Sequence, residues 1–272
     1  MIPDDAGFAA LARKISKGAG LPVEAYKDKC VRRRIAVRMR ACGVHSYAEY
    51  QAILDRSPAE YERLRDTLTI NVTRFYRNAE TWNLLRRDLI PRLCAPGTGE
   101  IRVWSAGCAS GEEAYTIAIL AAEHLDRTGR SGELSRIVVD ATDVDRMSLE
   151  RAREARYRPE NLTEMPQELV DRYLETSGPD LQVVARVRAR VFVRRVDLSA
   201  GRPPGRDYRM VVCRNVLIYF DRPMQERLFQ VFTDSLAPGG YLVLGKVETL
   251  FGTVRERLVL VDPRELVYRR PA

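Results

Sequence analysis

Hydrophobic positions recur at helical spacing through the first third of the chain. A first helix presents one apolar face, formed by Phe8, Leu11, Ala12 and Ile15. The segment Gly18–Pro22 interrupts this pattern, and a second helix is predicted from about Glu24 until Gly43 caps it. The first third of the chain is therefore predicted to be helical.

Further helix starts are marked by capping residues. Ser46-x-x-Glu49 and Ser57-Pro58-x-Glu60 both have the capping-box spacing, and the second also has Pro at the first helical position. These motifs predict helices that start near residues 47 and 58, and another helix is expected after Asn78. Residues 1–95 then form an N-terminal helical domain and linker.

After the loop 95–99 the pattern changes to apolar strands that alternate with helices. The predicted strands are Ile101–Ala106, Arg136–Thr142, Tyr208–Cys213, Tyr241–Gly245, Leu258–Val261 and Glu265–Tyr268. The predicted helices are Glu112–Leu125, Arg146–Ala155 and Pro223–Leu236. This alternation predicts an α/β domain over residues 96–272 with a mostly parallel, doubly wound sheet. Because the last two strands are too close for a helical crossover, they should form an antiparallel hairpin.

One stretch departs from this alternation. In Leu181–Val193 the odd positions from Val183 onward are apolar, and Arg186, Arg188, Arg190 and Arg194 occupy even positions. A period of two predicts a strand with one basic, solvated face. We expect it in a small β-subdomain inserted at about residues 160–200.

Positive charge is concentrated in the helical part. The chain has 272 residues with 45 Lys and Arg against 37 Asp and Glu, a formal net charge of +8. Residues 1–95 hold 18 basic and 11 acidic residues, a net +7, which leaves 27 against 26 for residues 96–272. The helical part is therefore expected to meet an acidic partner.

The composition excludes several other classes of protein. No apolar run approaches the roughly 18 residues that cross a bilayer, and the acidic start of the chain is unlike a secretory signal, so a cytoplasmic protein without membrane insertion is expected. Five scattered cysteines and two histidines make a metal site, a disulfide framework and histidine catalysis unexpected.

The first predicted strand runs into the turn Gly107–Gly111 and then a helix that begins with Glu112 and Glu113. Such a turn lets a ligand approach the backbone, although it also occurs simply to pack a helix on a strand. The two carboxylates disfavour a phosphate, and so favour S-adenosylmethionine over a dinucleotide. They could also serve the first helical turn as favourable charges.

Polar residues also follow the predicted strands Arg136–Thr142 and Tyr208–Cys213. Asp143 ends the second strand, where it could accept hydrogen bonds from ribose hydroxyls, whereas Asp145 fits a helix cap better. Arg214 and Asn215 follow Tyr208–Cys213 and should point into the crevice where open α/β sheets bind ligands. Taken alone, this last segment would first be interpreted as core, for Tyr219 and Phe220, with Arg214 as a surface charge.

Three segments together resemble a known family. Trp104–Ala118, Ala141–Asp145 and Cys213–Asp221 look like the signatures of the chemotaxis receptor methyltransferases, the CheR family. Upstream, Leu68–Arg77 is similar to that family's segment between its helical and catalytic domains. The resemblance implies a protein-glutamate O-methyltransferase that uses S-adenosyl-L-methionine and releases S-adenosyl-L-homocysteine.

The resemblance also implies roles for individual residues. Asn71, Thr73 and Arg77 would hold the methionine end of the cofactor, with Gly107 and one of Glu112 and Glu113 in the same pocket. Asp143 would bind the ribose, Asp197 and Leu198 would flank the adenine, and Arg214 and Asn215 would complete the pocket. Tyr219 is expected near the transferred methyl group as a catalytic residue, and Arg92 is a second catalytic candidate.

Two positions depart from the family pattern. The family usually has Asn where this chain has Asp197, which keeps an acceptor for the adenine amino group and loses a donor. It usually has Gly-His-Ser-Glu where this chain has Gly245-Lys246-Val247-Glu248. The second change puts any substrate role of that loop in doubt.

The second helix could explain the basic charge. Val31, Ile35, Met39 and Cys42 form its apolar stripe, opposite a basic face whose members are Lys29, Arg32, Arg33, Arg34 and Arg40. Such a face can be merely solvated. With the resemblance, it is expected to dock the acidic cytoplasmic helical bundle of methyl-accepting receptors, and nothing requires more than a monomer.

Two rival functions remain at this point. A nucleic acid methyltransferase would share the fold and a basic surface, but Arg214-Asn215-Val216-Leu217 is unlike the Asp/Asn-Pro-Pro-Tyr/Phe run common in enzymes that methylate base amines. No nucleic acid partner is therefore expected. A non-catalytic binding protein would be expected to lose the polar groups of the pocket, and these are present.

Overall fold

The computed structural model describes residues 5–19, 23–68, 73–97 and 99–272, in two compact units. One unit comprises Met1–Ile70 and Ile218–Gln225, and the other Asn71–Leu217 and Glu226–Ala272. Within the described residues, no helix is long and apolar enough to span a bilayer.

The first unit is helical, as the sequence predicts. Its helices are α1 (Asp5–Ala19), α2 (Asp28–Ala41), α3 (Tyr47–Arg56) and α4 (Pro58–Leu68). Gly43 follows α2 with φ +69°, in the left-handed conformation that glycine adopts without strain. The segment 218–225, which the sequence pattern assigned to the sheet domain, joins this unit: Tyr26 stacks on Phe220 at 4.8 Å, and Lys27 N donates to Tyr219 O at 2.8 Å.

The two capping motifs have different outcomes. Ser46 and Glu49 form the reciprocal capping box that their spacing predicts. At α4 only half of a box forms: Glu60 N donates to Ser57 Oγ at 3.3 Å, but the Glu60 carboxylate turns inward. It accepts hydrogen bonds from Arg38 at 2.9 and 2.7 Å and from Tyr50 Oη at 2.8 Å. Glu60 is thus a buried anchor of the helical unit.

The second unit is built on a seven-stranded sheet. Its strands are β1 (Ile101–Ala106), β2 (Ile137–Asp143), β6 (Val191–Arg195), β7 (Tyr208–Cys213), β8 (Leu236–Leu244), β9 (Val259–Asp262) and β10 (Val267–Arg269). The order is β6-β2-β1-β7-β8-β10-β9, in which β10 runs antiparallel to both neighbours and the other pairings are parallel. The carboxyl ends of β2, β1, β7 and β8 therefore meet at one edge.

The helices of this unit follow the predicted alternation. They are α5 (Ala79–Leu84), α6 (Ile90–Leu93), α7 (Glu112–Arg127), α8 (Arg146–Glu154), α9 (Gln167–Tyr173), α10 (Ala185–Arg188) and α11 (Arg222–Ser235), the last starting in the helical unit. Residues between 73 and 97 belong here, earlier than the change in pattern after residue 95 suggests. The reason is packing, because Trp82, Leu85 and Leu89 share the core with Ile117.

The arginine-rich stretch is not one strand. A small antiparallel sheet forms from β3 (Arg156–Tyr157), β4 (Leu174–Ser177) and β5 (Asp180–Val183), in the order β3-β5-β4. Arg186 and Arg188 then lie on α10, and β6 is an edge strand of the main sheet paired with β2. The predicted continuous strand over Leu181–Val193 is therefore wrong, because a short helix interrupts it, and the inserted sheet spans 156–183 rather than about 160–200.

Candidate active site

The turn after β1 is shaped by close packing. Gly107 has φ +79°, and its N–H donates to Thr142 O at 2.8 Å, as does that of Cys108 at 2.9 Å. A Cβ on Gly107 would lie 2.4 Å from Val216 Cγ2, so a side chain there would displace the loop after β7. Glycine is thus needed where these two loops meet.

The same turn is fastened to the end of β2. Ala109 N donates to Asp143 Oδ2 and Asp145 N donates to Asp143 Oδ1, both at 2.9 Å. The Asp143 carboxylate therefore keeps capacity for a further donor. Burial raises the pKa of Asp143. Asp145 caps α8 through Ser148 N at 3.1 Å, as the sequence predicts.

The two glutamates at the start of α7 face different partners. The Glu113 carboxylate accepts a hydrogen bond from Ser105 Oγ at 2.9 Å and lies 3.6 Å from the Arg214 guanidinium. Burial raises the pKa of Glu113, and Arg214 opposes that rise. Glu113 is therefore the member of the pair that joins the other candidate residues.

Glu112 turns away from Glu113 and Arg214. It is almost fully buried, and its carboxylate accepts hydrogen bonds from Ser110 Oγ at 3.0 and 2.8 Å and from Asn161 Nδ2 at 3.3 Å. Burial raises the pKa of Glu112 to about 6. These contacts give Glu112 a structural position on the turn.

Arg214 is the buried cation of the site. Its Nη2 donates to Arg77 O at 2.8 Å and to Asn78 Oδ1 at 3.0 Å, and its guanidinium carbon lies 5.1 Å from the centre of the Trp82 ring. Its Nε is buried and finds no hydrogen-bond partner among the described residues. Desolvation lowers the pKa of Arg214, and Glu113 opposes that effect. These contacts hold the ion pair of Arg214 and Glu113 beside the turn after β1.

Glu248 organises the loop that carries Arg214. Its carboxylate is buried and accepts the backbone N–H groups of Gly245, Asn215, Val216 and Leu217 at distances of 2.7 to 2.8 Å. Sequence reasoning missed this residue and Ser105. The signal available for Glu248 was its position three residues after Gly245, at the end of a predicted central strand.

Asp197 and Leu198 lie near the end of β2. Val196 N donates to Asp143 O at 2.9 Å, which brings the chain after β6 to that point. Asp197 Oδ1 accepts hydrogen bonds from Ser199 N at 2.9 Å and Ser199 Oγ at 2.7 Å, and Leu198 is buried. Thr73 is half-buried upstream of Arg77, whereas Asn71 lies outside the described residues.

The two candidate catalytic residues belong to other segments of the chain. Arg92 is exposed on α6, which leads into the amino end of β1, so the structure does not bring it to the carboxyl edge of the sheet. Tyr219 belongs to the helical unit. There it lines a cavity with Tyr26, Cys30 and Arg34, and its ring centre lies 6.0 Å from the Arg34 guanidinium carbon.

The predicted basic face of α2 divides into two groups. Arg32 pairs with Asp5 at 2.7 Å, and Arg34 donates to the carbonyls of Thr67 and Leu68 at 2.6 and 2.8 Å. These two arginines therefore stabilise the helical unit. The remaining members, Lys29, Arg33 and Arg40, are exposed, and the described part of the chain gives them no ion pair.

The chain matches known proteins over most of its length. Residues 71–265 match the family described as CheR methyltransferase, SAM binding domain, and residues 6–69 match CheR methyltransferase, all-alpha domain. A chemotaxis protein methyltransferase of Klebsiella aerogenes is 36% identical over 253 residues, which cover 90% of this chain and 83% of the relative.

Two further relatives carry the same name. That of Listeria innocua is 32% identical over 252 residues, covering 92% of this chain and 93% of the relative. That of Escherichia coli is 32% identical over 265 residues, covering 94% and 88%. With both domains matched in order, the chain belongs to the CheR family of S-adenosylmethionine-dependent methyltransferases.

Proposed function

We propose that this enzyme transfers the methyl group of S-adenosylmethionine to side-chain carboxylates of glutamates in chemotaxis receptors, forming methyl esters. Family membership supports the methyl transfer, and the names of the relatives support the receptors as substrate. The observation that carries the assignment of the pocket is the pairing of Glu113 with Arg214 beside the turn after β1.

This pair fits the zwitterionic methionine end of the cofactor. We assign the ammonium group to Glu113 and the carboxylate to Arg214 and Arg77. A pyrophosphate would fit poorly, because the N–H groups of Gly107, Cys108 and Ala109 are already bound within the protein. The donor set therefore favours S-adenosylmethionine over a dinucleotide.

The end of β2 suits the adenosine part. Asp143 keeps acceptor capacity for ribose hydroxyls after binding two backbone N–H groups. Asp197 offers its second carboxylate oxygen to the adenine amino group, and Leu198 an apolar contact. Thr73, Asn71 and Asn215 remain proposed members of the methionine end by family resemblance.

The chemistry requires little acid–base help. A glutamate side chain has a pKa of about 4.3 and is already ionised at neutral pH, so no general base is needed. The bound cofactor supplies an electrophilic methyl group. The protein's own residues must align the acceptor carboxylate with that methyl and exclude water. We assign the orienting role to Tyr219, and we do not retain Arg92, because it is exposed at the opposite end of β1.

The exposed basic residues of α2 are proposed to dock the receptor. Lys29, Arg33 and Arg40 lie on one stripe of the helix, and Val37 between them is 44% exposed. Unpaired cations around an apolar residue suit the acidic, amphipathic surface of a helical bundle. Association driven by such charges is sensitive to salt.

The experiment is methylation with S-adenosylmethionine labelled in the methyl group. Purified protein is incubated with receptor-containing membranes or, in a parallel reaction, with RNA. We expect label in the receptor that is released as methanol by base. Label that enters only RNA and resists base would contradict the proposal, as would no transfer by a protein that binds S-adenosylhomocysteine.

A further inference from the structure

Within the described residues, all hydrogen bonds of the Glu248 carboxylate are to backbone N–H groups. Oε1 accepts Val216 N at 2.8 Å and Leu217 N at 2.7 Å, and Oε2 accepts Asn215 N and Gly245 N, both at 2.8 Å. An ionised carboxylate has about four acceptor sites, and here all are used. The residue is only 4% exposed, so water does not replace these bonds.

The backbone that Glu248 binds has a conformation that costs energy to adopt. Asn215 has φ +62°, the left-handed region that a non-glycine residue enters at an energetic cost. Three successive N–H groups, from Asn215 to Leu217, point at one carboxylate in this conformation. Without the carboxylate, these three N–H groups would lose their acceptor.

Gly245 makes room for this arrangement. A Cβ at that position would lie 2.5 Å from Glu248 Oε2 and 2.9 Å from Asn215 N. The second neighbour is a backbone atom, so a side chain at residue 245 would displace the loop after β7 itself. Gly245 and Glu248 therefore together determine the position of the loop after β7.

We propose that Glu248 is a positioning residue, whose carboxylate fixes the loop Asn215–Leu217 and thereby the placement of Arg214 and Asn215 for cofactor binding. The inference rests on the cofactor role proposed for Arg214. Arg214 immediately precedes the three bound N–H groups, and its guanidinium must stay between Glu113 and Asn78. The loop end at Leu217 also leads directly to Tyr219 along the chain.

The test compares Glu248→Gln with Glu123→Gln in the full-length protein. Glutamine keeps the size of the side chain but turns an NH₂ group toward two N–H donors. Glu123 is also a buried carboxylate of this unit, paired with Arg86 and outside the site, so it controls for a general loss of stability. Affinity for S-adenosylhomocysteine is measured by calorimetry, and the melting temperature is recorded for each variant.

We expect Glu248→Gln to weaken S-adenosylhomocysteine binding about tenfold or more, because unpaired buried donors disorder the loop. Hydrogen exchange at the amides of Asn215, Val216 and Leu217 should become faster. Glu123→Gln should lower the melting temperature and leave the affinity unchanged. If Glu248→Gln lowers only the melting temperature, the positioning role is wrong.

Gly245→Ala gives a second route to the same loop, because its Cβ would press on both Glu248 Oε2 and Asn215 N, and it replaces Glu248→Gln if that variant does not fold. It should weaken binding of S-adenosylhomocysteine, and unchanged affinity would overturn the inference. Arg214→Lys separates the two proposals. If Arg214→Lys binds S-adenosylhomocysteine normally, the cofactor role of Arg214 fails; if it binds weakly while Glu248→Gln and Gly245→Ala bind normally, only the positioning role fails.

Discussion

Arg214 and Glu113 form a buried ion pair, with 3.6 Å between guanidinium and carboxylate, in which the Arg214 side chain is 3% exposed. The pair joins the end of β7 to the start of α7, and solvent screens the charge of either partner only weakly. Buried pairs of this kind add little net stability, but removal of one partner leaves an uncompensated charge.

The first prediction follows from that asymmetry. Glu113→Gln should lower the free energy of unfolding by about 3 kcal/mol and weaken S-adenosylhomocysteine binding, because Arg214 loses its counterion. Urea denaturation and calorimetry measure the two effects. Glu80→Gln is the matched control, because it breaks the exposed pair with Lys246 and should change stability by less than about 1 kcal/mol. Equal effects of the two variants would refute the buried-pair argument.

The second prediction separates Asp143 from Asp145. Asp143→Asn should reduce affinity for S-adenosylhomocysteine about tenfold, since an amide offers fewer acceptor sites to ribose and to the two backbone donors. Asp145→Asn keeps a good helix cap and should leave the affinity unchanged. If Asp145→Asn loses more affinity than Asp143→Asn, Asp143 is not the residue that binds the ribose.

The third prediction concerns Tyr219. Tyr219→Phe should lower kcat about tenfold with little change in the affinity for S-adenosylhomocysteine, because only the orienting hydroxyl is lost. Tyr219→Ala should lower kcat further. Steady-state kinetics with receptor membranes, together with binding measurements, test this. The orienting role is excluded if turnover is unchanged in both variants.

The fourth prediction concerns the exposed face of α2. Reversal of Arg33 and Arg40 to Glu should weaken receptor binding about tenfold at low salt, and the difference should shrink at high salt. The control reverses Arg13 and Arg56, two exposed arginines of the same unit that lie on other helices. Sedimentation with receptor membranes measures binding. If both double variants bind equally well, the docking face lies elsewhere.

The fifth prediction uses the buried Glu112. Burial raises its pKa from 4.5 to about 6, so the folded protein holds this proton more tightly than the unfolded chain. The associated stability is present below pH 4.5 and is lost as the pH rises through 6, a change of about 2 kcal/mol. Urea denaturation of Glu112→Gln should lack this loss. An identical pH dependence in wild type and variant would contradict the assignment.

Much of the sheet could be predicted from the sequence. The bounds of β1 and β7 agree with the apolar runs that predicted them, and the antiparallel hairpin of β9 and β10 follows from their short separation. Buried strands of a parallel sheet are continuous apolar runs, so the hydrophobic pattern is enough to find them.

The stretch from Leu181 to Val193 shows where the pattern fails. Alternating Val, Ala and Arg suits a strand, yet α10 contains Arg186 and Arg188, and Val187 is buried between them. Which face of so short a segment is buried depends on the elements packed against it. That information is tertiary and is absent from the local sequence.

The site shows the same limit. Gly107, Asp143 and Arg214 lie at strand ends, where the topology of a parallel sheet predicts a ligand crevice. Glu248 acts on backbone groups about thirty residues away in the chain, and nothing in the spacing of charged residues indicates that these N–H groups converge on it. Likewise, the spacing of Glu60 from Ser57 predicts a capping box, whereas its carboxylate is buried against Arg38 and Tyr50.

Helix α2 keeps its cations in two separate groups. Arg34 and Arg38 face α4 and hold the helical unit together, whereas Lys29, Arg33 and Arg40 face outward. Changes at the outward positions therefore leave the internal contacts intact. If the outward face docks the receptor as proposed, a change of partner preference can arise on one side of this helix without a compensating mutation elsewhere in the unit.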